Sequence, residues 1–135
     1  MSTATIHYRG QLRTEVTHNQ SGTHFLTDAP TDNHGQGQYI SPSDCVASAL
    51  ASCILTTIGI KTVNSDLDID GAYIDVTKIM NPEPRRIKRL ELQIYMPAKL
   101  DQKQRLIVER IAETCPVALS IHPDIEQDLQ FNYNL

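Results

Sequence analysis

Apolar and polar positions alternate from the first residues. Thr3 to Tyr8, Gln11 to Thr17 and Thr23 to Thr27 alternate in turn, separated by Arg9-Gly10 and by the turn-forming run His18 to Gly22. That pattern predicts a three-strand meander. Residues 28–38 hold Pro30, Asp32, Asn33, Gly35 and Gly37 and predict a loop longer than usual, a hint of function. The period then changes. Ser41 is placed as a helix N-cap, Pro42 at the first helical position, where a missing N–H costs nothing, and Asp44 in the first turn, three residues after the cap. From there to Ile60 nearly every face is apolar, which predicts a central, buried helix. Ala47, Ser48, Ala51 and Ser52 are small enough to let another helix approach closely.

Ile69 to Met80 and Ile87 to Met96 predict two longer strands, joined by the turn Asn81-Pro82-Glu83-Pro84. In the second, Ile87, Leu90, Leu92, Ile94 and Met96 oppose Lys88, Glu91, Gln93 and Tyr95, the pattern of a half-buried antiparallel strand. Asp101 is placed to cap a helix reaching about Thr114, with Gln104 three residues on and an apolar face of Val108, Ile111, Ala112 and Cys115. Cys115-Pro116 ends this helix and opens a short one from Val117 to Ile121, and Asp128 to Asn134 closes the chain as a strand. The order βββ-α-ββ-α-α-β is α+β with mostly antiparallel pairing.

A length of 135 residues fits one domain, 1–135, with a core that needs no staples. A net charge of -4 argues against a nucleic-acid partner and against an anionic membrane surface. The count finds no run of about 18 apolar residues, so no membrane span is expected, and the N-terminus lacks the apolar region of a secretory signal. These features predict a cytoplasmic protein. His7, His18, His24, His34 and His122 show no metal-ligand spacing, so no metal and no cofactor are expected. His122, before Pro123, reads as a helix C-terminal residue serving the dipole.

The chain has three cysteines, Cys45, Cys53 and Cys115, an odd count that does not form a structural disulfide framework. Cys45 and Cys53 lie on one helix with about 12 Å of rise between them, too far to pair. A redox pair would join one of them to Cys115. Cys115, at the N-cap of the short helix, has the stronger local reason to be reactive. Burial alone would raise the pKa of Cys53, which needs a cation or a donor from elsewhere to act as a nucleophile.

The segment Ser41-Pro42-Ser43-Asp44, the Ala-rich helix running to Ala51-Ser52-Cys53, and the distant Cys115-Pro116-Val117 together resemble the OsmC/Ohr family, the osmotically inducible and organic hydroperoxide resistance proteins. The likeness extends over nearly the whole chain in length and element order. It implies an OsmC-like fold of antiparallel sheets wrapped around a long central helix, in an intertwined homodimer with sites at the subunit interface. It implies that Cys53 is peroxidatic and Cys115 resolving, and it leaves Cys45 as packing. The family pattern adds an Arg from the N-terminal strands, for which Arg13 is the best match and Arg9 the other candidate. It also places a Glu directly after the helix Pro, where this chain has Ser43, with Asp44 one position later. Two functions follow. One is a thiol-dependent organic hydroperoxide reductase that draws on an external dithiol reductant in oxidative-stress defence. The other is a non-catalytic relative that binds a small ligand or senses oxidants. A peroxidase requires Cys53 near Cys115 and within reach of an Arg; a binding module does not.

Overall fold

The computed structural model describes residues 1–135. Its elements are β1 (Ala4–Gly10), β2 (Arg13–His18), β3 (His24–Asp28), α1 (Pro42–Thr62), β4 (Tyr73–Asn81), β5 (Arg86–Met96), α2 (Gln102–Thr114), α3 (Pro116–Ser120) and β6 (Glu126–Tyr133), with one 3-10 turn at Thr31–Asn33. This is the expected order and the expected α+β class. Two three-stranded sheets form, β1-β2-β3 and β4-β5-β6. The chain divides into two compact units, Met1–Val46 and Ala47–Leu135.

In the first unit the meander is antiparallel throughout, with Ile6 opposite Val16 and Val16 opposite Phe25. The first turn falls at Gln11-Leu12, not at Arg9-Gly10. Gly10 stays in β1 at φ 86, beside a register shift that its missing Cβ tolerates, and Gln11 and Leu12 take φ 55 and 63. Ile6, Val16 and Phe25 line an open apolar cavity of about 330 Å³, together with Thr14, Thr27, Pro42 and Cys45.

The start of α1 forms as its sequence requires. Ser41 Oγ accepts from the Asp44 N–H and Asp44 Oδ2 accepts from the Ser41 N–H, each at 3.1 Å, a reciprocal capping box. The helix is not buried on every face. Ala47, Leu50, Ala51, Ile54, Ile58 and Thr62 form one buried stripe, while Ser48, Ser52, Thr56 and Ile60 remain exposed. Its length and composition also suffice to cross a bilayer, which the residue count had excluded. Ser, Thr and Gly break a count of apolar residues but lower mean hydropathy little. The buried stripe is what a core helix presents to its own chain.

In the second unit, β4 pairs antiparallel with β5, but β5 pairs parallel with β6. Pairing is thus mostly antiparallel, as expected, with β6 the exception: the α2–α3 crossover returns the chain to the end at which β5 began. β4 begins at Tyr73 instead of Ile69, because the Ile69 carbonyl accepts the Ala72 N–H across a turn that holds Gly71 at φ 90. A register shift between Ile79 and Met80 explains why Ile87 and Leu90, three apart, both face the core. Leu90, Leu92, Ile94 and Met96 are fully buried, as are Leu50, Ile54 and Ile58 of α1 and Val108 and Ala112 of α2. α2 carries the predicted Asp101–Gln104 capping box.

Candidate active site

Within the second unit the structure brings Cys53 and Cys115 together. Cys53 is half-buried midway along α1; Cys115 is fully buried. Cys115 has extended backbone (φ -65, ψ 156), which ends α2 and opens α3, with Pro116 in the first turn. The first turn of any helix leaves N–H groups without intrahelical partners. Here two of them serve sulfur: the Val117 N–H bonds to both Cys53 and Cys115, and the Ala118 N–H to Cys115. The two cysteines are hydrogen-bonded to each other, and Thr57 Oγ1 lies 3.6 Å from Cys53 Sγ, one helical turn along α1.

These contacts polarise the pair. Burial pushes Cys53 up, but hydrogen bonds from Val117, Thr57 and Cys115 together outweigh it and hold the thiol below its ordinary value. Burial pushes Cys115 up. The Ala118 N–H works against that, but donating its own proton to Cys53, and facing the charge there, keeps Cys115 above the ordinary value. When the pair gives up one proton, the charge therefore settles on Cys53 and Cys115 keeps its thiol. This reverses the local argument that gave Cys115 the stronger reason to be reactive. The helix start that follows Cys115 does favour thiolate, but its Val117 N–H also reaches Cys53, and burial weighs more heavily on Cys115.

Cys45 stands apart from this pair, beside the apolar cavity of the first unit, where burial and then the Asp44 carboxylate push its thiol up. Asp44 is engaged in capping α1. Arg13 lies in the first unit, on β2 opposite Asp28 of β3. Its Nε and Nη2 donate to the two Asp28 carboxylate oxygens at 2.7 and 2.9 Å, and Nη2 also donates to the Gln36 and Gln38 side chains. The guanidinium lies 4.6 Å from the centre of the Tyr39 ring. Asp28 is almost fully buried, accepts the Gln38 N–H, and is held below the usual carboxylate range chiefly by Arg13. Arg9, the other candidate, pairs with Glu15.

Three partners escaped the sequence reading. Asp28 reads as a turn residue until the β2–β3 register sets it across from Arg13. Thr57 was legible in principle, since positions four apart share a helix face. Val117 was not, because nothing in the spacing of residues 53 and 117 joins them. His122 Nδ1 accepts the Asp124 N–H and closes the turn after α3. No three His, Cys, Asp or Glu side chains converge as a metal site requires.

A family model described as OsmC-like protein matches residues 35–130. Among solved structures, a Psychrobacter arcticus 273-4 protein named for osmotic stress induction and a detoxification response is 45% identical, with 98% of this chain and 96% of that one aligned at a TM-score of 0.93. An OsmC-like protein from Mycoplasma pneumoniae shares the fold at 14% identity over 96% of this chain and 94% of that one, with a TM-score of 0.78. A Legionella pneumophila protein named as an organic hydroperoxide resistance protein OsmC does so at 17% identity over 97% of each chain, with a TM-score of 0.72. No curated protein matches the sequence.

Proposed function

The chain belongs to the OsmC-like protein family, and from that premise we propose that it is a thiol-dependent organic hydroperoxide reductase with Cys53 as the peroxidatic and Cys115 as the resolving cysteine. The observation that carries this reading is the convergence of the Val117 N–H, Thr57 hydroxyl and Cys115 thiol on the Cys53 sulfur. A nucleophilic thiolate needs such donors, and a resolving thiol must lie within bonding reach. The names of family members with this fold, organic hydroperoxide resistance among them, point to the same chemistry.

In the first step the Cys53 thiolate attacks the distal oxygen of the hydroperoxide. The O–O bond breaks, Cys53 becomes a sulfenic acid, and the leaving alkoxide takes a proton and departs as an alcohol. In the second step the Cys115 sulfur attacks the sulfenic sulfur; its proton leaves with the hydroxyl as water, and a disulfide forms. An external dithiol then reduces the bridge, as the reducing conditions of a cytoplasmic setting allow. Arg13 and Asp44 are the positions nearest the family pattern for an activating cation and acid. The protein acts as a homodimer: Ile60 and Val63 are 68% and 75% exposed at the end of α1, and the stripe Ser48, Ser52 and Thr56 offers a second copy close helix contact.

The test is stopped-flow consumption of cumene hydroperoxide by reduced protein, with sulfenic-acid trapping. Wild type should turn over with a dithiol. Cys53→Ser should be inactive, and Cys115→Ser should complete one turnover and then stall or over-oxidise. Equal, slow consumption by wild type and Cys53→Ser, at the rate of a free thiol, would refute the enzyme and favour a binding protein.

A further inference from the structure

Hydroxyl residues inside helices usually donate back to the carbonyl four residues earlier. This chain does so repeatedly: Thr62 to the Ile58 carbonyl at 2.7 Å, Thr114 to Arg110 at 2.8 Å and Ser120 to Pro116 at 2.6 Å. Thr57 stands in the same relation to Cys53, yet its hydroxyl meets the sulfur of that residue. Either atom of the pair can donate while Cys53 is a thiol. Once Cys53 is a thiolate, only Thr57 can.

We propose that Thr57 is a positioning residue for Cys53, its hydroxyl holding the thiolate within its own helix and orienting it for attack. The proposal rests on the reductase reading and deepens it, singling out one of the donors at Cys53 as the residue that orients the sulfur. Three observations support it. Thr57 is half-buried, so water competes with its hydroxyl only in part. Its position is fixed by the rigid turn of α1 that also fixes Cys53, so the contact does not depend on a loop. The other donors to this sulfur, the Val117 N–H and the Cys115 thiol, come from elsewhere in the chain. Cys115 ceases to be a donor when it forms the disulfide, and the Val117 N–H is shared with the Cys115 sulfur. Thr57 is therefore the donor held on the same helix as the nucleophile. The direction in which Cys53 is held, below the ordinary thiol value, agrees.

The test is the pH profile of Cys53 alkylation by iodoacetamide in the full chain. Chymotryptic cleavage after Leu50 separates Cys53 from Cys45 for mass spectrometry. Thr57→Val keeps the shape and removes the donor, and Thr57→Ala is a second donor-free variant should Val fail to fold. Thr57→Ser restores the hydroxyl. The donor-free variants should show Cys53 alkylation slowed about three- to tenfold below the profile midpoint, with the midpoint moved to higher pH, because a charge-assisted hydrogen bond has been lost. Thr57→Ser should keep the wild-type profile. Profiles that stay unchanged in Thr57→Val or Thr57→Ala would overturn the proposal, as would equal displacement in Thr57→Ser, which would mark a packing role. Alkylation requires no hydroperoxide. If wild type reduces no hydroperoxide, the reductase reading fails while this profile still decides the role of Thr57.

Discussion

Oxidising the reduced protein with one equivalent of hydroperoxide should raise its melting temperature, by an amount set by where the two sulfurs sit in the chain. A bridge from Cys53 to Cys115 closes a loop of about 60 residues, which in the chain-entropy model removes about 4 kcal/mol of freedom from the unfolded state. For 135 residues, an unfolding entropy of about 2.1 cal/mol/K per residue converts this to a rise of about 15 °C. Oxidation also ends the hydrogen bonding of the Cys53 thiolate to Val117 and Thr57, which opposes the gain, so the expected rise is about 5–15 °C. The assay is thermal unfolding of reduced and oxidised protein by circular dichroism in a Cys45→Ser background, where no third thiol can scramble the bridge on heating. Cys53→Ser should show no rise. An oxidised sample whose bridge is proven by peptide mapping, yet which melts at or below the reduced one, would refute the reasoning.

Other outcomes follow from the same structure. Cys53, held low, adds stability that is present above the ordinary thiol pKa and is lost as pH falls through its folded value. Cys115, held high, adds stability that is present below the ordinary pKa and is lost as pH rises through its folded value. Chemical denaturation against pH, reduced wild type minus Cys53→Ser/Cys115→Ser, should therefore peak near about pH 8.5; a monotonic difference would contradict the polarised pair. Leu92→Ala, at a fully buried position of β5, should cost about 2–5 kcal/mol in urea denaturation, and a cost below about 1 kcal/mol would place that side chain outside the core. Sedimentation at micromolar concentration should find a dimer; a lone 15.1 kDa species would remove the reading of the open α1 stripe as an interface.

Most of the fold was legible because its signals are local. Ser41 with Asp44 and Asp101 with Gln104 are capping boxes in sequence and in space. The alternation in β5 names its buried face, and the one irregular step, from Ile87 to Leu90, is the bulge. What stayed hidden depends on contacts distant along the chain. The parallel partner of β5 follows from where the crossover lands, which the residues of β6 do not encode. In the site, Cys115-Pro116 announced a helix start correctly. That this start would serve the Cys53 sulfur as well depended on α1 meeting α3, and a reading confined to one segment saw only the nearer cysteine. The Arg13–Asp28 pair was missed for a like reason, since it needs the register of β2 on β3.

The unequal burial of the two sulfurs also governs how electrons would return. Cys115 has no exposed surface, whereas Cys53 is partly open. In a disulfide between them, an incoming thiolate finds only one sulfur to strike, so the mixed disulfide forms on Cys53 and Cys115 is the leaving group. A thiol whose pKa is held high leaves slowly as an anion. Departure is therefore helped by the Ala118 N–H that already points at that sulfur. In the proposed reductase, recycling would then favour a small or protruding dithiol able to reach Cys53, and the sulfur that gives up electrons to the peroxide would also be the one through which they are restored.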